Sequence, residues 1–431
     1  MDQTRRAGAL TGVRVLGASG DFSAPRRIAW ADGRFAAESA GANTRGDSVA
    51  GDLADPAASD LADPKAGEFD ASGLWLIPGL VDAHVHAAWH AFDAADRSAL
   101  DNAATAAATA SGLARTLAAG ITRVRDAGGL TAAALAEVPA AARPSVQLSV
   151  RMLDRAAADA AGGLDRAVEA VLAEGARWVK LVATAGVAAP AGAGLEPVFT
   201  AAETRDAVRR AERAGAGTMV HAWGGQAIDD AITAGATSIE HGIFLTAEQA
   251  AAAADAGLTF VPTLRIYTLV QRMIAAGALP AAFRGRVEEA VAAHPAAVLR
   301  ARDAGLPIAL GTDSGTPDQH GTVRLEFDAL VAAGLSPSEA LHAATRGGAE
   351  LLGRVETAHV AGRGAPGTLD VGAPAEAVLL RRDPREPGAL SDPAAIVRVL
   401  AGGALLDPGL LDPVPHNAAP ECERSPRKDP K

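Results

Sequence analysis

The chain has 431 residues, of which 49% are hydrophobic and only 3% aromatic, so its core must be aliphatic and rich in alanine. A formal net charge of −11 argues against nucleic acid or an anionic membrane as partner, and the single cysteine, Cys422, excludes an intrachain disulfide and speaks against a thiolate metal site. The opening residues, MDQTRRAGALTGVRVLG, lack the apolar core of a signal peptide, and no window reaches the ~18 apolar residues of a membrane span, so a soluble, cytoplasmic protein is expected.

Residues 1–75 read as short strands joined by turns. GVRVLGA and RRIAWADGRFAA alternate in polarity, the second around an Ala-Asp-Gly turn. Residues 38–68 are small, acidic and proline-containing, which predicts a flexible surface insertion. From Leu76 onward, apolar strands alternate with helices. The eight strand candidates are IPGLVDAHVH, ITRVRDAG, SVQLSVRM, WVKLVATAG, TMVHAWGG, TSIEHGIF, LTFVPTL and LPIALGTDSG. Between them, Leu164, Val168, Val171 and Leu172 recur at helical spacing, and Ala202–Gly215 and Ala247–Gly257 end in the glycine of a C-cap. Repeated strand–helix units over residues 76–355 predict an α/β fold, a closed (β/α)8 TIM barrel. An open doubly wound sheet would want a glycine-rich phosphate loop after its first strand, where this chain has His-Val-His. After the helix SPSEALHAATRGGAELLG, residues 356–412 return to strands (GTLDVG, EAVLLRRD, AIVRVLAGG) that cannot bury a core alone. They are expected to join residues 1–75 in one small β-sandwich domain built from both chain ends. Residues 413–431 have no periodicity and are expected to be a disordered tail.

Polar residues stand out against these apolar strands. His84 and His86 are two apart, so on a strand they project to the same side, as a pair able to grip a divalent cation. His221 and His241 end strands five and six, and Asp313 ends strand eight. Singly, each such histidine reads more readily as a hydrogen-bonded core residue, and Asp313 as a turn-capping residue. Lysine is scarce: of 40 basic residues only Lys65, Lys180, Lys428 and Lys431 are lysine, and Lys180 sits inside an apolar strand. Arginine stays protonated at any ordinary pH, whereas a buried lysine can lose its proton and react as an amine. In a barrel these six side chains would converge at the C-terminal ends of the strands, where such folds place their chemistry.

The ordered set PGLVDAHVH, GITRVRDAGG, VKLVATAG, MVHAWGG, SIEHG, FVPTL, GTDSG and GTLDVGAPAEAVLL resembles the amidohydrolase superfamily from about Gly12 to Pro408. It is similar in particular to the Xaa-Pro dipeptidase and prolidase-like branch, to which ochratoxin-hydrolysing amidases also look related. The resemblance implies a binuclear centre of two divalent metal ions, zinc foremost, with manganese and cobalt also suited to such ligands. In that arrangement His84, His86 and Asp313 hold the more buried ion and His221 and His241 the other, while Lys180, carboxylated by carbon dioxide, bridges both. A hydroxide shared by the metals would be the nucleophile, and Asp313 would take its proton and deliver it to the leaving amine.

Other residues are read more openly. His90 suits either the mouth of the barrel or an ordinary polar loop, and His320 lies in an HG pair resembling one common in the branch, for a substrate-side or loop-fixing role. Arg265 and Tyr267, the only tyrosine, follow strand seven as candidates to contact the substrate, Tyr267 in a catalytic role and Arg265 suiting a carboxylate; the alternative is that both merely pack or face solvent. Glu240 would orient the neighbouring His241 or cap its strand, and His294, His342, His359 and His416 look like surface or helix residues. The chain departs from the branch in two places. Trp223 stands where prolidase-like members often carry a tyrosine; its indole N–H can donate to an oxyanion but cannot ionise. The loop after strand three, LDRAAADAAGGLD, has no substrate-holding histidine. The expected function is metal-dependent hydrolysis of a non-cyclic or peptide-like amide in a carboxylate-bearing N-acyl amino acid or dipeptide-like small molecule. The alternatives are a lactonase or phosphotriesterase on the same site and, more distantly, a non-catalytic scaffold. Homo-oligomerisation is compatible with all of these.

Overall fold

The computed structural model of the chain describes residues 7–37, 67–91, 97–98, 101–187, 189, 193–356, 364–390 and 392–411. Nearly all of the expected insertion (38–66), together with the tail beyond 411, His359 and His416, lies outside the described residues.

Strands from both chain ends meet in one sheet. From the N-terminal side come β1 (Gly8–Val15), β2 (Arg26–Ala31), β3 (Arg34–Ala36), β4 (Glu68–Asp70) and β5 (Trp75–Pro78). The join is antiparallel pairing of β5 with Ala377–Leu380, Leu76 facing Leu379, and the sheet continues through Ile396–Ala401 to the edge strand Ala404–Leu406. Inward residues of this sheet (Leu10, Val13, Trp30, Phe35, Leu76, Leu379 and Leu400) form their own core. Gly12, at φ +69°, shifts the register of β1 between Leu10 and Val13. A Cβ there would also lie 2.5 Å from Ser72 Oγ, so only glycine fits. GTLDVG is a run of turns rather than the expected strand, because Gly367 and Gly372 both bend the backbone at positive φ.

The central region is parallel. β6 (Leu80–Val85), β7 (Ile121–Asp126) and β8 (Ser145–Leu148) form one sheet. A second holds β9 (Met152–Leu153), β10 (Trp178–Val182), β11 (Gly217–Ala222), β12 (Ser238–His241) and β13 (Thr259–Val261). Every residue of β6, β7 and β12 is buried, as expected of parallel strands covered on both faces. Two expected strands are irregular. SVQLSVRM is split into β8 and β9 by Val150 at φ 67°, and LPIALGTDSG makes only isolated bridges at Ile308 and Ser314. The second segment still hydrogen-bonds on both sides: Phe260 N donates to Pro307 O at 2.8 Å, and Ala83 N to Leu310 O at 2.8 Å. Across the remaining gap, Arg177 N donates to Leu148 O at 2.8 Å.

Helices connect the strands. They are α1 (Asn102–Ala118), α2 (Ala132–Ala136), α3 (Arg155–Ala161), α4 (Leu164–Ala173), α5 (Ala201–Arg213), α6 (Gln226–Ala234), α7 (Ala247–Asp255), α8 (Leu264–Ala275), α9 (Arg284–Asp303) and α10 (Val323–Ala332). Their limits follow local chemistry. Thr200 with Glu203, and Thr246 with Gln249, form capping boxes that satisfy the first free N–H groups of α5 and α7. α4 buries Leu164, Val168 and Val171 of the expected stripe together with Ala167, while Leu172 is half-buried at its edge. Among the described residues no helix is long and apolar enough to cross a membrane.

Candidate metal centre

The strand ends bring the six expected side chains to one place. His84, on the inward face of β6, and His86, just beyond it, are 1% and 4% exposed. Their Nε2 atoms lie 3.5 and 3.3 Å from Asp313 Oδ1, and the donor atoms of the three residues all fall within 4.8 Å of one another. Asp313 reaches this point because its backbone turns to φ 53° as its N–H donates to His84 O at 2.7 Å. Lys180, from the buried centre of β10, points inward and sets Nζ 3.2 Å from His84 Nε2. His221 on β11 and His241 at the end of β12 stack edge to face with ring centres 4.5 Å apart, and His241 stands 5.0 Å from His84.

Hydrogen bonds fix the ring orientations. His84 Nδ1 is 2.6 Å from Glu240 Oε2, His86 Nδ1 is 2.9 Å from Gly128 O, and His241 Nδ1 is 2.7 Å from Thr263 Oγ1. His221 Nε2 is buried with no hydrogen-bond partner among the described residues. Backbone strain accompanies this geometry. His241, Thr263 and Asp313 all occupy the left-handed region, which non-glycine residues enter at a cost of roughly 1–3 kcal/mol, and each sits at the end of a central strand or segment.

Electrostatics prepare the same groups for a cation. Burial holds His84 at about 4 and His221 at about 3, and pushes His241 well below its ordinary value, so all three rings are neutral donors at pH 7. Burial likewise lowers Lys180 to about 8. It would raise Asp313, but His84, His86 and Lys180 outweigh it and hold that carboxyl at about 2. Burial would also raise Glu240, where Arg125 and His84 prevail and hold it at about 2. Neutral imidazoles facing a carboxylate and an amine of lowered basicity form a donor set suited to zinc-like cations.

The remaining expected residues are distributed around this cluster. Trp223 is 1% exposed, and its buried Nε1 has the Tyr267 hydroxyl as its polar neighbour. Tyr267, on α8, is buried against Trp223, His241 and His294 at ring distances of 5.4, 6.0 and 5.3 Å, and burial pushes its hydroxyl well above the ordinary range. Arg265, two residues on from the strained Thr263, donates from Nη1 to Thr322 Oγ1 at 2.7 Å. His320 is 4% exposed and approaches Trp89 O at 3.4 Å, while His90 is half-buried in the loop after β6 with both ring nitrogens unpartnered among the described residues.

Two expectations change. Glu240 serves His84 and not its neighbour His241, whose Nδ1 is taken by Thr263 Oγ1. His294 lies on a helix but is 1% exposed, its Nε2 donating to His241 O at 2.7 Å. Other residues carry weight without having been singled out. Trp89 stacks on His86 with ring centres 3.9 Å apart, Arg286 lies 4.7 Å from the centre of the Trp223 ring, and Arg125 binds Glu240. Of these, only Arg125 left a signal in the sequence, as a charge inside the apolar run ITRVRDAG.

The amidohydrolase family model matches residues 75–405. An uncharacterized protein of Mycobacterium tuberculosis (strain ATCC 25618 / H37Rv) is 31% identical over 336 residues, covering 75% of this chain and 84% of its own length. Among solved structures, a prolidase complexed with N-methylphosphonate-L-proline superimposes with a TM-score of 0.79 at 24% identity, covering 93% of this chain and 99% of that one. A Xaa-Pro dipeptidase with methionine bound in its active site gives 0.76 at 22% identity, with 93% and 100% coverage. At these identities the likeness is one of fold.

Proposed function

Since this chain belongs to the amidohydrolase family, hydrolases of carbon–nitrogen bonds that generally use a divalent metal centre, we propose that it cleaves an amide with two divalent cations held by His84, His86, Lys180, His221, His241 and Asp313. The observation that carries this reading is the convergence of His84 Nε2, His86 Nε2, Asp313 Oδ1 and Lys180 Nζ, adjacent members lying 3.2–3.5 Å apart, beside the His221–His241 pair. His84, His86 and Asp313 would hold one ion and His221 and His241 the other. Zinc is the first choice for such ligands, with manganese and cobalt as substitutes.

When bound, the cations supply a water acidified toward neutrality and Lewis acids for the scissile carbonyl. The protein's own groups do the rest. Lys180, lowered to about 8 by burial, has a ready fraction of neutral amine. Attack of that amine on carbon dioxide forms an N–C bond and releases one proton, leaving a carbamate anion long enough to face both halves of the donor set. Asp313, ionised at neutral pH, accepts the proton of the attacking water and returns it to the departing amine. Trp223 Nε1 is assigned to the developing oxyanion, with the neutral Tyr267 packed against its ring. Arg265, His320 and His90 are assigned to the substrate side, Arg265 for a carboxylate.

The preferred substrate class is an N-acyl amino acid or dipeptide-like molecule, in keeping with the fold shared with a prolidase and a Xaa-Pro dipeptidase. In domain terms, residues 76–355 are read as a closed (β/α)8 barrel, supported by the hydrogen bonds of residues 307–310 to both β13 and β6. Residues 1–75 and 356–412 are read as a β-sandwich, supported by the β5 pairing and by the bend of β1 at Gly12. The test is metal analysis of protein purified without chelator, followed by a screen of Xaa-Pro dipeptides, N-acyl amino acids, lactones and aryl phosphotriesters. Two ions per chain and amide hydrolysis abolished by chelator are expected. A metal-free protein, or turnover confined to lactones or phosphotriesters, overturns the reading.

A further inference from the structure

Arg125 is a cation with no exposure at all, and each part of its guanidinium is engaged. Nε donates to Ala83 O at 2.6 Å, Nη1 to Ser238 Oγ at 2.9 Å and Nη2 to Glu240 Oε1 at 2.8 Å. Its Cζ lies 4.6 Å from the centre of the Trp178 ring. Ser238 Oγ donates in turn to Glu240 Oε1, and the other carboxylate oxygen, Oε2, meets His84 Nδ1. Burying such a pair carries a heavy desolvation penalty, and apolar residues of the same volume usually stabilise a fold at least as well. The pair therefore calls for a use other than stability.

The neighbouring rings show what that use is. His86 and His241 present Nδ1 to neutral acceptors, a carbonyl and a hydroxyl, while His84 presents it to a carboxylate that is itself held by an arginine. A carboxylate at Nδ1 keeps the proton there, leaves the Nε2 lone pair aimed inward, and raises the basicity of the ring as a ligand. We propose that Arg125 and Glu240 are positioning residues for His84, making it the strongest imidazole donor of the centre and setting the affinity for the ion it shares with His86 and Asp313. This rests on the binuclear reading above.

The test uses Co2+ titration of the chelator-stripped, full-length protein against a competing chromophoric chelator, with metal-free thermal melts as the control for folding. Wild type should take up two equivalents. Glu240→Gln should lose one of them at about 10–100-fold lower chelator, the range seen when such a partner is removed, with the second nearly unaffected. Because Glu240→Gln leaves Arg125 buried without its counter-ion, the double variant Arg125→Met with Glu240→Gln serves as the second arm. It should melt like wild type without metal yet keep the weakened ion. Wild-type affinity for both ions in either variant, or equal weakening of both ions, overturns the assignment while leaving the binuclear reading intact. Failure of the wild type to bind Co2+ overturns both.

Discussion

Nζ of Lys180 stands 3.2 Å from Nε2 of His84, and both side chains are 1% exposed. An amine so placed, with burial lowering it to about 8, is available both for carbamate formation and for contact with whatever His84 binds. Lys180→Ala should abolish turnover, with partial recovery in small carboxylic acids such as formate or propionate that can take the place of the carbamate. Turnover at the wild-type level without any added acid would remove Lys180 from the centre.

The indole N–H of Trp223 is buried beside the hydroxyl of Tyr267. Trp223→Phe replaces a large buried ring by a smaller one, so the melting temperature should fall by an amount that reports packing alone. If the N–H meets the oxyanion, kcat should fall about 10²-fold or more, the loss typical of one such donor. Steady-state kinetics beside a thermal melt separates the two effects, and an unchanged kcat withdraws the role.

Arg265 is held by Thr322 Oγ1 at the start of α8, next to Thr263, the partner of His241. A guanidinium anchored at one nitrogen retains other donors in its fork for a carboxylate. Arg265→Gln should raise KM about 10–100-fold for carboxylate-bearing substrates, in keeping with the ~1.5–3 kcal/mol of a charged hydrogen bond, and leave kcat within about twofold. Equal KM values for the two proteins would assign Arg265 to packing alone.

Away from the site, Arg155 on α3 donates to both oxygens of Glu203 at 3.0 and 3.2 Å. These bonds, ahead of the opposing effect of burial, hold Glu203 at about 2 against an ordinary 4.5. The folded value lies below the unfolded one, so the stabilisation is complete above about pH 4.5 and is lost as pH falls toward 2. Glu203→Gln should therefore lower the melting temperature at pH 7 by a small amount, since both partners are partly exposed, and not at pH 2. The same deficit at both pH values would mean that the ion pair is not its source.

Much of the candidate site was legible because its signals are local. The two-residue spacing of His84 and His86 carries its own geometry on a strand, and a lone lysine in an apolar strand of an arginine-rich chain is conspicuous without any fold. The order of strands and helices was legible for the same reason, as were α4 and the glycine-ended helices. GTLDVG and LPIALGTDSG misled because apolar composition suggested strand, while positive φ at Gly367, Gly372 and Asp313 bends the chain away from a regular ladder.

The sequence alone determined which residue types were available for the chemistry and the order in which the strands deliver them. Tertiary structure decided which atom each of them meets. Glu240 lies one residue from His241 and 156 from His84, yet it is His84 that it holds, because Thr263 takes Nδ1 of His241 while packing against β6 and β7 brings distant side chains within 3 Å. Contacts of that kind depend on the relative placement of several strands at once, and no short window of sequence contains it.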